Sequence, residues 1–175
     1  MPGYRVHDFL TVAAAAALVP GYCALAPRPD APAAAILAGS CLLSGLLFSP
    51  DLDLPSHPHR RWGGAGALWW PYQWVVPHRS WVSHSILIGP LLRLAYFLAM
   101  VYALLWGLLW GVNEWVAPID RNGAVRGWRW ELLRFLRGHP EWVTLALAGF
   151  IAGGLAHTLA DIVWSAVRPR RRRRW

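Results

Sequence analysis

The chain has no lysine: all seventeen basic residues are arginine, and only 15% of its 175 residues carry a formal charge. A water-soluble domain of this size needs more charge than that to cover its surface. Cysteine is scarce as well. Cys23 and Cys41 both lie inside apolar stretches, without the paired spacing of a zinc ribbon or a disulfide scaffold, and read as small core residues. A glycine-rich phosphate loop, a Gly-x-Ser-x-Gly elbow and a His-Glu-x-x-His helix are also missing. No secretory signal is expected, because Met1 to Asp8 lacks a basic cluster and no cleavage site follows.

What the chain has instead is apolar length. Hydrophobic residues make up 56% of it, and thirteen are tryptophan. Four segments read as apolar helices: about Phe9 to Ala26, then Pro32 to Phe48, Ile86 to Val112, and Trp142 to Val167. A span of a bilayer core takes about 20 residues, so the first two are short and the last two are ample. Gly149, Gly153 and Gly154 in the fourth segment permit close helix contact in lipid. Between segments three and four, Trp128 to Arg137 alternates arginine with aromatic and leucine residues at helical spacing, as a helix in the headgroup plane would. The expected fold is therefore all-α: an integral membrane bundle of about four apolar helices plus one interfacial amphipathic helix. Residues 1–167 form a single helical domain, and 168–175 a basic cytoplasmic tail.

Trp69, Trp70, Trp74 and Trp81 before the third segment, with Trp106, Trp110 and Trp115 at its far end, are read as an interfacial aromatic belt. The net charge of +8 is uneven, since five arginines form the run Arg170 to Arg174. Beside a long apolar helix such a run is a juxtamembrane stop signal, so no nucleic-acid partner is expected; membrane lipids are. With four spans, one side carries Arg5, Arg60, Arg61, Arg79, Arg168 and the terminal five. The other carries Arg28, Arg121, Arg126, Arg129, Arg134 and Arg137. The positive-inside rule then puts both termini in the cytoplasm of an inner membrane.

Polar residues in such a chain need a reason. His7-Asp8 precedes the first span, Asp51-Leu52-Asp53 follows the second, and His78-Arg79-Ser80-Trp81-Val82-Ser83-His84 leads into the third. His157 and Asp161 lie in the fourth, four residues apart and so on one helical face. Taken singly, each has a plain structural explanation: a His–Asp hydrogen bond, a polar stop, interfacial histidines. Together, four stretches of sequence deliver metal-ligand residue types to one level of one membrane face. In an extended segment Asp51 and Asp53 would share a face. Mixed nitrogen and carboxylate donors suit Zn, Mn or Fe better than Mg or Ca. His57 and His59 are reserve ligands, and His139 falls on the opposite side.

These motifs, with Phe48-Ser49-Pro50-Asp51, Arg61-Trp62-Gly63, Pro71-Tyr72 and Ala156-His157-Thr158-Leu159-Ala160-Asp161, resemble a bacterial family of metal-binding proteins. That family is similar to inner-membrane metal-dependent hydrolases carrying Pro-Asp-x-Asp and His-Arg-(Gly/Ser)-x-x-(Ser/His) patterns. The resemblance runs from His7 to Asp161. It implies a metal site built from His7, Asp8, Asp51, Asp53, His78, His84, His157 and Asp161, with Arg79 as an anion-contacting neighbour. The function expected is hydrolysis of a phosphoester in a lipid or other phosphorylated small molecule, using one or two divalent transition-metal ions. An unligated Asp8 or Asp161 would serve as general base, and Arg79 would neutralise developing charge. The alternatives are a non-catalytic metal-stabilised scaffold and a transport component. Transport is disfavoured by a third span whose only charge is Arg93.

Overall fold

A computed structural model describes residues 3–77, 80 and 85–167. Arg79, His78, His84, Trp81 and the 168–175 tail fall outside the described residues. The architecture is all-helical. Helix α1 spans Tyr4–Leu25, α2 Ala31–Leu46, α3 His57–Arg60, α4 Trp70–Val75, α5 Ile88–Trp115, α6 Arg121–Gly138 and α7 Pro140–Val167. Two 3-10 segments, Pro50–Asp53 and Gly63–Trp69, interrupt the connection between α2 and α5. Four helices (α1, α2 with its 3-10 extension, α5 and α7) are long and apolar enough to cross a membrane.

The boundaries follow from local chemistry. Asp30 ends the Pro27-Arg28-Pro29 break and caps α2, its carboxylate accepting the Ala33 N–H at 2.7 Å. Asp120 caps α6 in the same way, accepting from Gly123 N–H at 2.9 Å. That cap starts α6 seven residues earlier than the Trp128 expected from its arginine–aromatic pattern. Pro20 lies inside α1 without ending it, as a proline in an apolar span commonly does.

Small residues set the packing. A Cβ on Gly149 would lie 2.2 Å from the Leu37 carbonyl oxygen, and one on Gly153 would lie 2.2 Å from that of Cys41. On α2, Gly45 admits Thr11 of α1, and on α7 Gly154 admits Pro90 of α5. Backbones this close gain dispersion contacts that lipid tails cannot supply. They also hold α1, α2 and α7 at a fixed spacing, which the polar cluster described below requires.

Residues 47–77, which follow α2, form an ordered cap rather than an open loop. Arg61 Nη1 donates to the Leu46 carbonyl at 2.9 Å and Trp62 Nε1 to that of Leu47 at 3.0 Å, closing the end of α2. Phe48 sits at the centre of an aromatic cluster, meeting Trp62, Trp69, Phe97 and Phe150 edge-on at centroid distances of 5.2–5.5 Å. Trp69 is fully buried there, so the belt reading fails for this residue: its ring fills the gap between the cap and α5. Trp74 and Trp115 are exposed by 88% and 81%, as interfacial tryptophans would be.

Gly153→Leu should force α7 off α2. Overpacking of this kind costs about 2 kcal/mol or more, so the unfolding midpoint in detergent should fall by roughly 4–8 °C, while Gly111→Leu, in open space on α5, should leave it unchanged.

Candidate metal centre

The first turn of α1, the 3-10 turn after α2 and the last third of α7 meet at one end of the bundle. Antiparallel neighbours bring this about: α1 begins where α2 and α7 end. His7 and His157 stack face to face, ring centroids 3.8 Å apart and planes 13° from parallel. Asp161 lies one turn beyond His157. His7 Nε2 is 3.5 Å from Asp161 Oδ1, and His157 Nε2 is 3.7 Å from Asp161 Oδ2. Asp51 approaches from the 3-10 turn, its Oδ2 3.5 Å from His157 Nε2. His7, His157 and Asp161 each offer a ligand atom within 4.8 Å of the others.

Those separations carry information. They are too long for N–H···O hydrogen bonds, which run about 2.7–3.2 Å. They match instead the edge of a tetrahedron about an ion with bonds of about 2.0–2.1 Å, roughly 3.4 Å. Burial points the same way. Among the described residues, His7 Nδ1, His157 Nε2 and both Asp161 carboxylate oxygens are buried without a hydrogen-bond partner. Leaving polar atoms unsatisfied in an apolar bundle costs about 1–3 kcal/mol each, more for charged groups. A cation ligated by His157 Nε2 and Asp161 would relieve that cost, so these donors fit a divalent metal.

His157, 1% exposed, is held from behind. Its Nδ1 lies 3.1 Å from Ser49 Oγ. In the tautomer with the proton on Nδ1, Ser49 accepts it and the Nε2 lone pair is free for a cation, the usual outer support of a ligating histidine. Ser49 also caps the 3-10 turn, its hydroxyl oxygen accepting the Asp51 N–H at 3.4 Å. One buried hydroxyl thus fixes both His157 and the turn that carries Asp51. Sequence reasoning missed this role, although Ser before Pro-Asp is itself a capping signal.

The 3-10 turn also changes the expected use of the two aspartates. Residues two apart in a 3-10 helix point about 120° apart, so Asp51 and Asp53 cannot share a face as they would in a strand. Asp51 faces His157. Asp53, 3% exposed, does not belong to the His7–His157–Asp161 group; it and Asp51 lie within electrostatic range of Arg93, which is also beside the Tyr72 hydroxyl. Burial raises the Tyr72 hydroxyl above its ordinary pKa, with Arg93 acting against that rise. Arg93 is fully buried. An arginine inside an apolar span marks a candidate functional position, and here its charge sits beside the Asp51–Asp53 turn.

Asp8 is likewise placed apart: its carboxylate forms an ion pair with Arg61, tying the start of α1 to the cap. His57 stacks on Tyr4 with centroids 3.9 Å apart, and His59 Nε2 lies 3.0 Å from the Gly66 carbonyl. His139, about 27 Å up α7 from His157, stacks on Trp142. His78, His84 and Arg79 lie outside the described residues.

Ser49→Ala should weaken metal affinity about 10–100-fold, measured by competition against a chelator. His157→Ala and Asp161→Ala should abolish stoichiometric metal, read by elemental analysis of the purified protein, and His139→Ala should retain it.

A protein from Aquifex aeolicus (strain VF5), described as an uncharacterized protein, is 39% identical over 56 residues, covering 31% of this chain and 39% of that one. The chain thus spans about two-fifths of the length of the curated relative it matches. No solved structure matches significantly. Residues 2–171 match the family described as uncharacterized metal-binding protein (DUF2227), and the chain belongs to that family.

Proposed function

We propose that this protein is a membrane-bound, metal-dependent hydrolase that cleaves a phosphoester in a lipid-like substrate at the cytoplasmic face of an inner membrane. The observation that carries the reading is the cluster of His7, His157 and Asp161, which offers three ligand atoms within 4.8 Å of one another, with His157 Nε2 and both Asp161 oxygens buried and without a hydrogen-bond partner among the described residues. Three protein ligands leave a coordination position open, as catalytic sites do and structural sites do not. Zn, Mn and Fe suit this donor set. When bound, the ion would supply Lewis acidity and activate water near neutral pH.

The chain's own residues divide the remaining work. Asp51, with its side chain 24% exposed at the rim of the cluster, is the carboxylate best placed to accept a proton from an attacking water. Asp161, within the cluster, serves as ligand rather than base. Asp8, expected as a base, is engaged by Arg61 and serves to hold α1 in place. Arg79 remains the proposed contact for developing negative charge, with His78 and His84 as further ligands for a second ion.

The membrane setting rests on four apolar helices and on side chains such as Phe9, Leu98, Leu104 and Leu108, each at least half exposed. On the far side, α6 exposes Trp128, Trp130 and Phe135 among its arginines, the composition of a helix at the headgroup plane. A metal-stabilised scaffold is the second reading, favoured by the site's position at the junction of the three most closely packed helices.

Metal-loaded protein in detergent should release phosphate from a panel of phosphomonoesters and phospholipids, lose that activity in EDTA and regain it with one of the three metals. Asp51→Asn should lower turnover at least about 100-fold while keeping its metal. Stoichiometric metal with no turnover on any substrate would favour the scaffold. A green fluorescent protein fused after Trp175 should fluoresce, reporting a cytoplasmic end; an active alkaline phosphatase fusion at the same point would reverse the orientation.

A further inference from the structure

The surface beside the metal cluster differs from the rest of the lipid-facing wall. Along α5 that wall is built of large side chains, with Leu98, Leu104 and Leu108 all more than half exposed. Between α1 and α7 it falls back into a groove of about 450 Å³. Four alanines line it, Ala13 and Ala14 on α1 and Ala156 and Ala160 on α7, with Leu159 and Trp164 beside them. Leu10 and Val163 help to wall it. Leucine at the four alanine positions would fill the space, so the small residues create the groove.

Its position is specific. Ala156 and Ala160 each adjoin a cluster residue in sequence, His157 and Asp161, and Leu10 lies one turn past His7. From the level of His7 the groove follows α1 to Ala14, about two turns or ~10 Å further along the helix. The lining has no charged side chain.

We infer that this groove binds one acyl chain of a membrane lipid whose phosphate headgroup lies at the His7–His157–Asp161 cluster. The inference deepens the hydrolase reading and rests on it for the fate of the headgroup. Two observations choose this occupant. The groove opens between two helices long and apolar enough to cross a bilayer, so hydrocarbon is what surrounds it. Two of its lining residues, Ala156 and Ala160, are the immediate neighbours of His157 and Asp161 on α7, so a chain lying there leaves its polar headgroup at the level of the cluster. Burying each methylene there contributes about 0.8 kcal/mol relative to water, but relative to bulk lipid the gain comes from fit and from tethering the headgroup.

The test uses full-length protein in nanodiscs with phosphatidic acid carrying a diazirine midway along one sixteen-carbon chain. After irradiation, adducts should concentrate on peptides 6–14 and 156–164. An excess of hexadecyl phosphate should displace them, and inorganic phosphate should not. Ala14→Phe and, separately, Ala13→Phe should reduce these adducts severalfold by filling the groove, with metal content and α5 adducts unchanged. Adducts spread evenly over α1, α5 and α7, indifferent to hexadecyl phosphate in the wild type, would mark ordinary surrounding lipid and overturn the inference, whatever the variants do. Because labelling is also scored in Asp51→Asn protein, the two readings separate: labelling without turnover in the wild type retains the groove and sinks the hydrolase, and turnover without groove labelling does the reverse.

Discussion

Two imidazoles and a carboxylate are buried together between apolar helices, and His7 Nδ1, His157 Nε2 and both Asp161 oxygens find no hydrogen-bond partner among the described residues. In water the same groups are solvated at no cost; here each unsatisfied atom carries a desolvation penalty. A bundle held mostly by dispersion between small residues has little stability to set against that penalty. The arrangement therefore makes physical sense with a cation at its centre, and the neighbouring structure reads as support for that centre. Ser49 orients His157, and the 3-10 turn delivers Asp51. Arg61 and Trp62 close the end of α2, and Arg93 sits beside the Asp51–Asp53 turn.

Helix spacing is the second requirement. His7 and His157 come from the two ends of the sequence and stack only because α1 and α7 both lie against α2. Gly45, Gly149 and Gly153 permit that approach. Metal affinity and helix packing are in this way linked, since ordering the helices prepares the ligands and binding the ion rewards the order.

Much of this was legible in the residues. Long apolar runs broken by Pro27-Arg28-Pro29-Asp30 and by Ser49-Pro50 gave four helices, and helical spacing alone placed His157 and Asp161 on one face. The topology that follows puts His7 and Asp51 at the same level. What the residues did not reveal is local geometry. Pro50 after a capping serine selects a 3-10 turn over a strand, and that choice separates Asp53 from Asp51. Asp8 is adjacent to His7, yet neighbouring helical positions point about 100° apart, so it meets Arg61 instead. Trp69 shows a further limit: tryptophan favours both interfaces and cores, and composition does not distinguish them.

X-ray absorption at the metal edge tests the central claim most directly. Protein purified with its native ion should show a shell of imidazole nitrogen and carboxylate oxygen at about 2.0–2.2 Å, with the outer scattering of two histidines that drops to one in His7→Ala. A sulfur shell near about 2.3 Å, which only cysteine or methionine could supply, or an unchanged histidine signal in that variant would contradict it.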